Sequence, residues 1–235
     1  ACGGSSSTAG NGSGSGNTPD VTPVTVALST GTDTVTGTTG ADTFNAGLSS
    51  AGIQTLQALD SASGGAGIDT INITLTGDVT PNLTAVETVN VTTAAVGGAA
   101  LDLLAASGVT SVSNTGSTSL LTVNNIGASV TGITLANSSA GASFDFLDSS
   151  VTGTSDAKTF TISNVSGGVV TVDNAIESIT LNSVGSANTV TTLTSNADTL
   201  LISGSAAFTL TNANTTAETI TSTSTGAVTL TSNNA

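Results

Sequence analysis

Gly64-Gly65-Ala66-Gly67-Ile68-Asp69-Thr70-Ile71-Asn72 follows, position for position, the pattern G-G-x-G-x-D-x-U-x, in which U is a large apolar residue. Each position has a physical reason. Glycine lets the main chain turn tightly and aim carbonyl oxygens at an ion. The Asp adds a carboxylate, and Ca²⁺ takes roughly six to eight such hard oxygens. The apolar residue after the Asp opens a short strand that faces inward. One turn of this kind holds half an ion site; stacked turns hold whole ones.

Two degraded copies lie upstream. Gly37-Thr38-Thr39-Gly40-Ala41-Asp42-Thr43-Phe44-Asn45 keeps two glycines, the Asp and the apolar residue. Ser29-Thr30-Gly31-Thr32-Asp33-Thr34-Val35 keeps Gly31, Asp33 and Val35. Asp33 and Asp42 are nine residues apart, and Asp42 and Asp69 are twenty-seven, three times nine. The candidate calcium ligands are therefore Gly31, Asp33, Gly40, Asp42, Gly65, Gly67 and Asp69, and the expected cofactor is Ca²⁺.

Downstream the chain becomes a series of short β-rich runs spaced about every ten residues, among them Val169–Asp173, Ser178–Leu181, Thr199–Ser203 and Ala227–Thr231. Apolar residues alternate with Thr or Ser, as in Phe208-Thr209-Leu210-Thr211, which is the period of a strand. Alternate runs open on an acid, as in Glu177-Ser178-Ile179, Asp198-Thr199-Leu200 and Glu218-Thr219-Ile220. With Glu87-Thr88-Val89 and the three Asp-Thr-apolar triplets of the glycine turns, this opening occurs seven times. A two-strand unit of about twenty residues thus repeats, and a fixed repeat of that length means stacked coils. The expected fold is all-β, a parallel β-solenoid or β-roll with coils of about 20 residues and short helical excursions. Its competitor is an antiparallel β-sandwich. Where the preceding glycines are missing, at Glu87, Glu177, Asp198 and Glu218, the acid is expected to cap a turn. Asp145 and Asp148 are a candidate second ion site, Lys158 is expected to be a surface charge, and Phe144, Phe146, Phe160 and Phe208 are expected to pack in the core or between subunits.

Helical spacing marks three departures from the strand pattern. Ser49–Asp60 carries Ile53, Leu56 and Leu59 at helical intervals, with a serine cap ahead and glycines beyond. Ala99–Ser107 is rich in helix formers, and Thr80-Pro81-Asn82-Leu83 fits one capped turn. The chain divides into a Gly/Ser tail over 1–20, a calcium-type region with helical insertions over 21–108, and a Thr/Ala/Asn-rich solenoid over 109–235.

Composition excludes whole classes of chemistry. The 235 residues hold no His, Trp, Tyr or Met, one Lys or Arg in total, and fifteen Asp and Glu, for a net charge of −14. No Ser-His-Asp or Cys-His nucleophile can form. Almost nothing holds phosphate, and the charge opposes nucleic acid, so no nucleic-acid partner is expected. A carboxylate pair could still work on a glycosidic bond, but no aromatic subsites or positioning Arg accompany the acids. The expectation is no enzyme and no small-molecule substrate. No apolar run of about eighteen residues exists. The tail reads ACGGSSSTAGNGSGSGNTPD, with Cys2 as the chain's one cysteine. A cysteine followed by Gly and Ser resembles the start of a mature bacterial lipoprotein, which makes Cys2 a candidate lipid attachment and membrane anchor. Ala1 ahead of it departs from that pattern, and an unmodified thiol or an intermolecular disulfide is the alternative.

Gly40-Ala41-Asp42-Thr43-Phe44-Asn45, Gly64 to Asn72 and Ala175-Ile176-Glu177-Ser178-Ile179-Thr180-Leu181 together resemble bacterial surface-layer (S-layer) proteins of the calcium-binding, RTX-containing kind. The resemblance covers most of the chain after residue 28. It implies an extracellular protein of the bacterial cell surface, assembled with copies of itself into a layer, sheath or filament whose order depends on Ca²⁺. The calcium roles it implies fall on Gly40, Asp42, Gly65, Gly67 and Asp69. The alternative expectation is a calcium-dependent adhesin or the stalk of a larger secreted protein.

Overall fold

A computed structural model describes residues 21–215, 217 and 219–231. The chain is a parallel β-solenoid of about ten turns with coils of about 21 residues. One sheet runs the full length of the rod. Its ten strands are β1 (Thr25–Ala27), β3 (Thr43–Ala46), β5 (Thr70–Leu75), β7 (Thr88–Thr93), β10 (Ser111–Thr115), β12 (Gly132–Ala136), β14 (Ala157–Ser163), β16 (Ser178–Val184), β18 (Thr199–Gly204) and β20 (Thr219–Ser222), paired in that order. At a strand spacing of about 4.8 Å their nine intervals span roughly 43 Å. The facing wall changes along the rod. A four-stranded sheet, β2 (Thr34–Thr36), β4 (Ser61–Ser63), β6 (Asn82–Thr84) and β9 (Ala106–Ser107), closes the first coils. A seven-stranded sheet closes the rest: β8 (Ala99–Asp102), β11 (Leu121–Ile126), β13 (Ala142–Phe146), β15 (Val169–Val172), β17 (Asn188–Ser195), β19 (Phe208–Thr215) and β21 (Val228–Leu230). The coil from β7 to β10 visits all three sheets, so it is the splice between a two-walled roll and a wider rod.

Coil length is read from the register of the long sheet. Thr25 pairs with Thr43, Thr43 with Thr70 and Thr70 with Thr88. The offsets of 18, 27 and 18 are multiples of nine. Farther on, Ser111 pairs with Gly132, Ala157 with Ser178 and Ser178 with Thr199, each offset by 21. Alternation places one column of side chains inside. Phe44, Ile71, Val89, Val112, Ile133, Phe160, Leu181 and Ile202 stack in register and are all buried. Each such side chain contributes about 1.5–3 kcal/mol by leaving water. Phe144 of the seven-stranded wall meets Phe160 across the core with ring centroids 5.3 Å apart.

The helical excursions do not form. Among the described residues the one helical segment is a 3₁₀ turn at Asp148–Ser150. Ser49–Asp60 is instead a tight hairpin and an extended return. Leu48 bridges Gln54 antiparallel, the Ser49 N–H donates to Ile53 O, and Gly52 takes φ +74°. Of the three apolar residues at helical spacing, Leu56 is buried while Ile53 and Leu59 are 54% and 77% exposed. A short isolated helix is marginal without packing on one face. The loop instead docks through Gln54, whose Oε1 accepts the N–H groups of Thr76 and Gly77 on the next coil, at 2.8 and 3.1 Å. Ala99–Ser107 forms β8 and β9, and Asn82-Leu83-Thr84 forms β6, because neighbouring coils offer ladder partners: β11 for β8, β6 for β9, and β4 and β9 for β6. Tertiary pairing overrides a weak helical preference there.

Candidate metal centre

Two corners alternate along the early coils. Residues 28–33 and 55–60 lead into the four-stranded sheet and end on Asp33 and Asp60. Residues 37–42 and 64–69 lead into the ten-stranded sheet and end on Asp42 and Asp69, and Glu87 ends the next turn of that column. A nine-residue step is therefore half a coil. Asp33 lies on the corner opposite Asp42 and Asp69, and its stacked neighbour is Asp60.

Each acid bonds across coils. The Asp42 N–H donates to Asp69 Oδ1 at 2.7 Å, and the Asp69 N–H to Glu87 Oε2 at 2.8 Å. Val24 N–H donates to Asp42 Oδ1 at 2.6 Å. The other corner repeats the device, with the Asp33 N–H on Asp60 Oδ1 at 2.8 Å. It recurs downstream, where the Asp156 N–H donates to Glu177 Oε2 at 2.7 Å. A carboxylate on one coil thus satisfies the corner N–H of the coil before it. An unpaired buried N–H costs about 1–3 kcal/mol, which is a physical reason for the acid-[Thr/Ser]-apolar opening.

The second carboxylate oxygen separates the sites. Asp42 Oδ2 accepts the Thr38 N–H at 2.5 Å, and the Thr38 hydroxyl lies 3.2 Å from both oxygens. Asp33 Oδ2 accepts the Ser29 N–H at 2.7 Å. In the Asp69 turn, Gly65 stands where Thr38 stands, with φ +100° and no hydroxyl. Asp69 is wholly buried, and its Oδ2 has no hydrogen-bond partner. Burial is the main cause that raises the Asp69 pKa above its ordinary 3.8; the Asp42 N–H opposes it, and the charges of Asp42 and Glu87 add to it. Asp60, 2% exposed, is raised in the same way, by burial first and Asp33 among the lesser causes.

The glycines are there for close approach. A Cβ on Gly64 would stand 1.9 Å from Ala85 O and 2.3 Å from Asp69 Oδ2. One on Gly37 would stand 2.2 Å from Gly64 O and 2.3 Å from Asp42 Oδ2. Each of these glycines leaves a hollow on which a carbonyl and a carboxylate oxygen converge. Gly65 and Gly67 admit the carbonyls of Thr38 and Gly40 from the coil below, and Gly40 packs on Val21 O. Gly31 is exposed and donates its N–H to Ser29 Oγ at 3.2 Å.

These donors fit Ca²⁺ best at Asp69. The set there is all oxygen, the carboxylate has a free buried oxygen, and Gly64 opens a hollow beside it. At Asp42 the hollow is present but the carboxylate is engaged. At Asp33 the Ser29 cap uses the carboxylate and no hollow adjoins it. Among the described residues no three His, Cys, Asp or Glu side chains gather as a metal cluster, so a cation here would rely on main-chain carbonyls. Gly37 and Gly64, part of the quoted motifs, stand outside the seven candidate ligands of the sequence analysis, and Asp60 is not singled out there. Asp60-Ser61-Ala62 is an eighth acid-Ser-apolar triplet, hidden because Ala62 is small.

Asp145 and Asp148 have other surroundings. Asp145 lies on the outer face of β13 and Asp148 in the 3₁₀ turn. Burial and then Asp173 raise the Asp145 pKa, with Asp148 and Asp102 adding smaller pushes against an Asn125 main-chain bond. Lys158 is no surface charge. It faces inward from β14, opposite Ile179, with Nζ 4.8 Å from the Phe146 ring centroid and 3.4 Å from Val130 O. Burial lowers its pKa below 10.5, against a smaller opposing pull from Asp156. The Cys2 and Glu218 assignments lie outside the described residues. Comparison with known proteins finds no match to a family model, a curated protein or a solved structure.

Proposed function

We propose that this chain is a structural, self-assembling subunit of the bacterial cell surface, its early coils clamped by Ca²⁺ at the glycine corner. The observation that carries the reading is the buried Asp69 carboxylate, with an unpartnered Oδ2, stacked between Asp42 and Glu87 in a chain whose one Lys lies elsewhere. Stacked like charges away from water need a counter-charge or a proton. The rod itself, with a long sheet whose outward face is uncharged Thr, Ser and Asn, suits a building element. Asp69, with Asp42 and the carbonyls at Gly64 and Ala85, would hold the ion, which supplies the missing positive charge.

The test is thermal unfolding and sedimentation of the chain in calcium and in EDTA, beside Asp69→Asn. Calcium is expected to raise the midpoint and promote assembly in the wild type. Asp69→Asn keeps an oxygen for the Asp42 N–H, so it is expected to fold but lose the calcium response. A wild-type midpoint indifferent to EDTA sinks the clamp. A calcium-responsive chain that stays monomeric at all concentrations instead favours an adhesin or stalk.

A further inference from the structure

The long sheet turns one face to the core and one outward. Its ten strands contain a single charged side chain, Lys158, and that residue faces inward. The outward face is a lattice of hydroxyls and amides. Its central column runs Asn45, Asn72, Asn90, Ser113, Thr134, Thr161, one residue per coil. The amides form a ladder, with Asn72 Nδ2 donating to Asn45 Oδ1 and Asn90 Nδ2 to Asn72 Oδ1, both at 3.0 Å. Each Asn has further donor and acceptor capacity. Because the ladder already holds these side chains, ordering them against a partner costs little more.

The other walls differ. The seven-stranded sheet carries Asp102 and Asp145 within its strands and Asp173 just beyond β15. The four-stranded sheet has strands of only two or three residues. In a chain of net charge −14, two copies repel wherever carboxylates meet within about 8 Å, the screening length near physiological salt. The outward face of the long sheet avoids that repulsion. At its corner edge Asp42 and Asp69 are buried, whereas Glu87, Asp156 and Glu177 are partly and Asp198 fully exposed, so the strand face itself, and not its edge, is free of carboxylates. Its extent also suffices. Ten strands of three to seven residues cover roughly 800 Å², which is about what one partner contributes to a stable interface.

We propose that two copies of this chain pack through this face, antiparallel about a two-fold axis between β10 and β12. This rests on the self-assembly reading above and names its surface. The face has a depression of about 410 Å³ lined by Asn45, Gly47, Asn72, Thr74, Asn90 and Thr115. In the antiparallel arrangement that hollow, on β3 to β10, lies opposite β12 to β18 of the second copy. There Thr159 and Thr199 stand exposed. The same patch serves both partners, as a two-fold contact requires.

The test uses the full chain in calcium. Thr134→Asp with Thr161→Asp places carboxylates on the face, and Thr122→Asp with Thr171→Asp places them on the seven-stranded sheet. Sedimentation is expected to show association at least tenfold weaker for the first pair and unchanged for the second, with melting temperatures close to wild type. Because facing sheets lie about 10 Å apart, too far for a direct disulfide, a Thr134→Cys, Cys2→Ser chain is expected to be linked into dimers by a short bis-maleimide spanning about 10 Å. This readout holds even if the double Asp variant folds poorly. Wild-type association in the first pair, or no cross-link from Cys at 134, overturns the face but leaves self-assembly standing. A wild type that never associates overturns both.

Discussion

At the early corner of the long sheet the chain turns on glycine and buries its acids; farther along, the same corner uses Asp156, Glu177 and Asp198 and leaves them partly or fully exposed. Both versions join coil to coil. The Asp42–Asp69–Glu87 column and the Asp156–Glu177 pair use the same carboxylate-to-N–H bond. The corner acid is therefore a general joint of the rod. What sets the early corner apart is the pair of hollows beside Gly37 and Gly64 and the free oxygen of Asp69. A motif that reads as an ion site is thus also a structural joint, set apart by the close main-chain approach its glycines allow.

Core truncation tests whether the two regions share one core. Phe44→Ala and Phe160→Ala are each expected to cost about 3–5 kcal/mol in denaturant unfolding, because both rings are fully buried in the same column. A much smaller loss at Phe44 would mean that the early coils unfold separately. Gly64→Ala comes next. Its Cβ collides with main chain, so a loss of about 1–3 kcal/mol or more is expected. Gly47→Ala, with nothing within 4 Å and no positive φ, is expected to gain about 0.4–1 kcal/mol. Equal effects would remove the packing reason for the glycine corner.

Asp42→Ala strands the Val24 and Thr38 N–H groups and is expected to cost about 1–3 kcal/mol, whereas Asp198→Ala, at an exposed position, should stay within about 0.5 kcal/mol. Equality here would erase the contrast between the two corners. The smallest effect is expected at Asp145. Its folded pKa lies above 3.8, so it binds more proton folded than unfolded, and its contribution to stability falls as pH rises from about 3.8 through the folded value. Asp145→Asn should flatten that part of the stability–pH curve and leave the midpoint at neutral pH within about 0.5 kcal/mol.

The solenoid was legible because stacking imposes its period on the sequence. Val89, Val112 and Ile133 recur where each coil must refill the same core column. The acid-[Thr/Ser]-apolar opening was legible for the same reason. The helices at Ser49–Asp60 and Ala99–Ser107 were misread because local spacing says nothing of ladder partners on neighbouring coils. No residue type marks the splice where β8 and β9 exchange one wall for another; it follows from pairings some twenty residues away. At the candidate site the three Asp and their glycines were legible. That Asp33 faces the other corner, and that Asp69 alone keeps a free oxygen, depended on the fold.

The inward lysine has a consequence of another kind. Enzymes that cut after Lys or Arg find one such bond in the whole chain, and it lies within β14, laddered to β16 and half-buried. Cleavage there must wait for coils to open, and interior strands open with free energies near that of global unfolding. Trypsin-like proteases therefore meet a rod with no accessible cutting site along its described length, and the rate at which they cut at Lys158 is a direct clock for the opening of its middle coils.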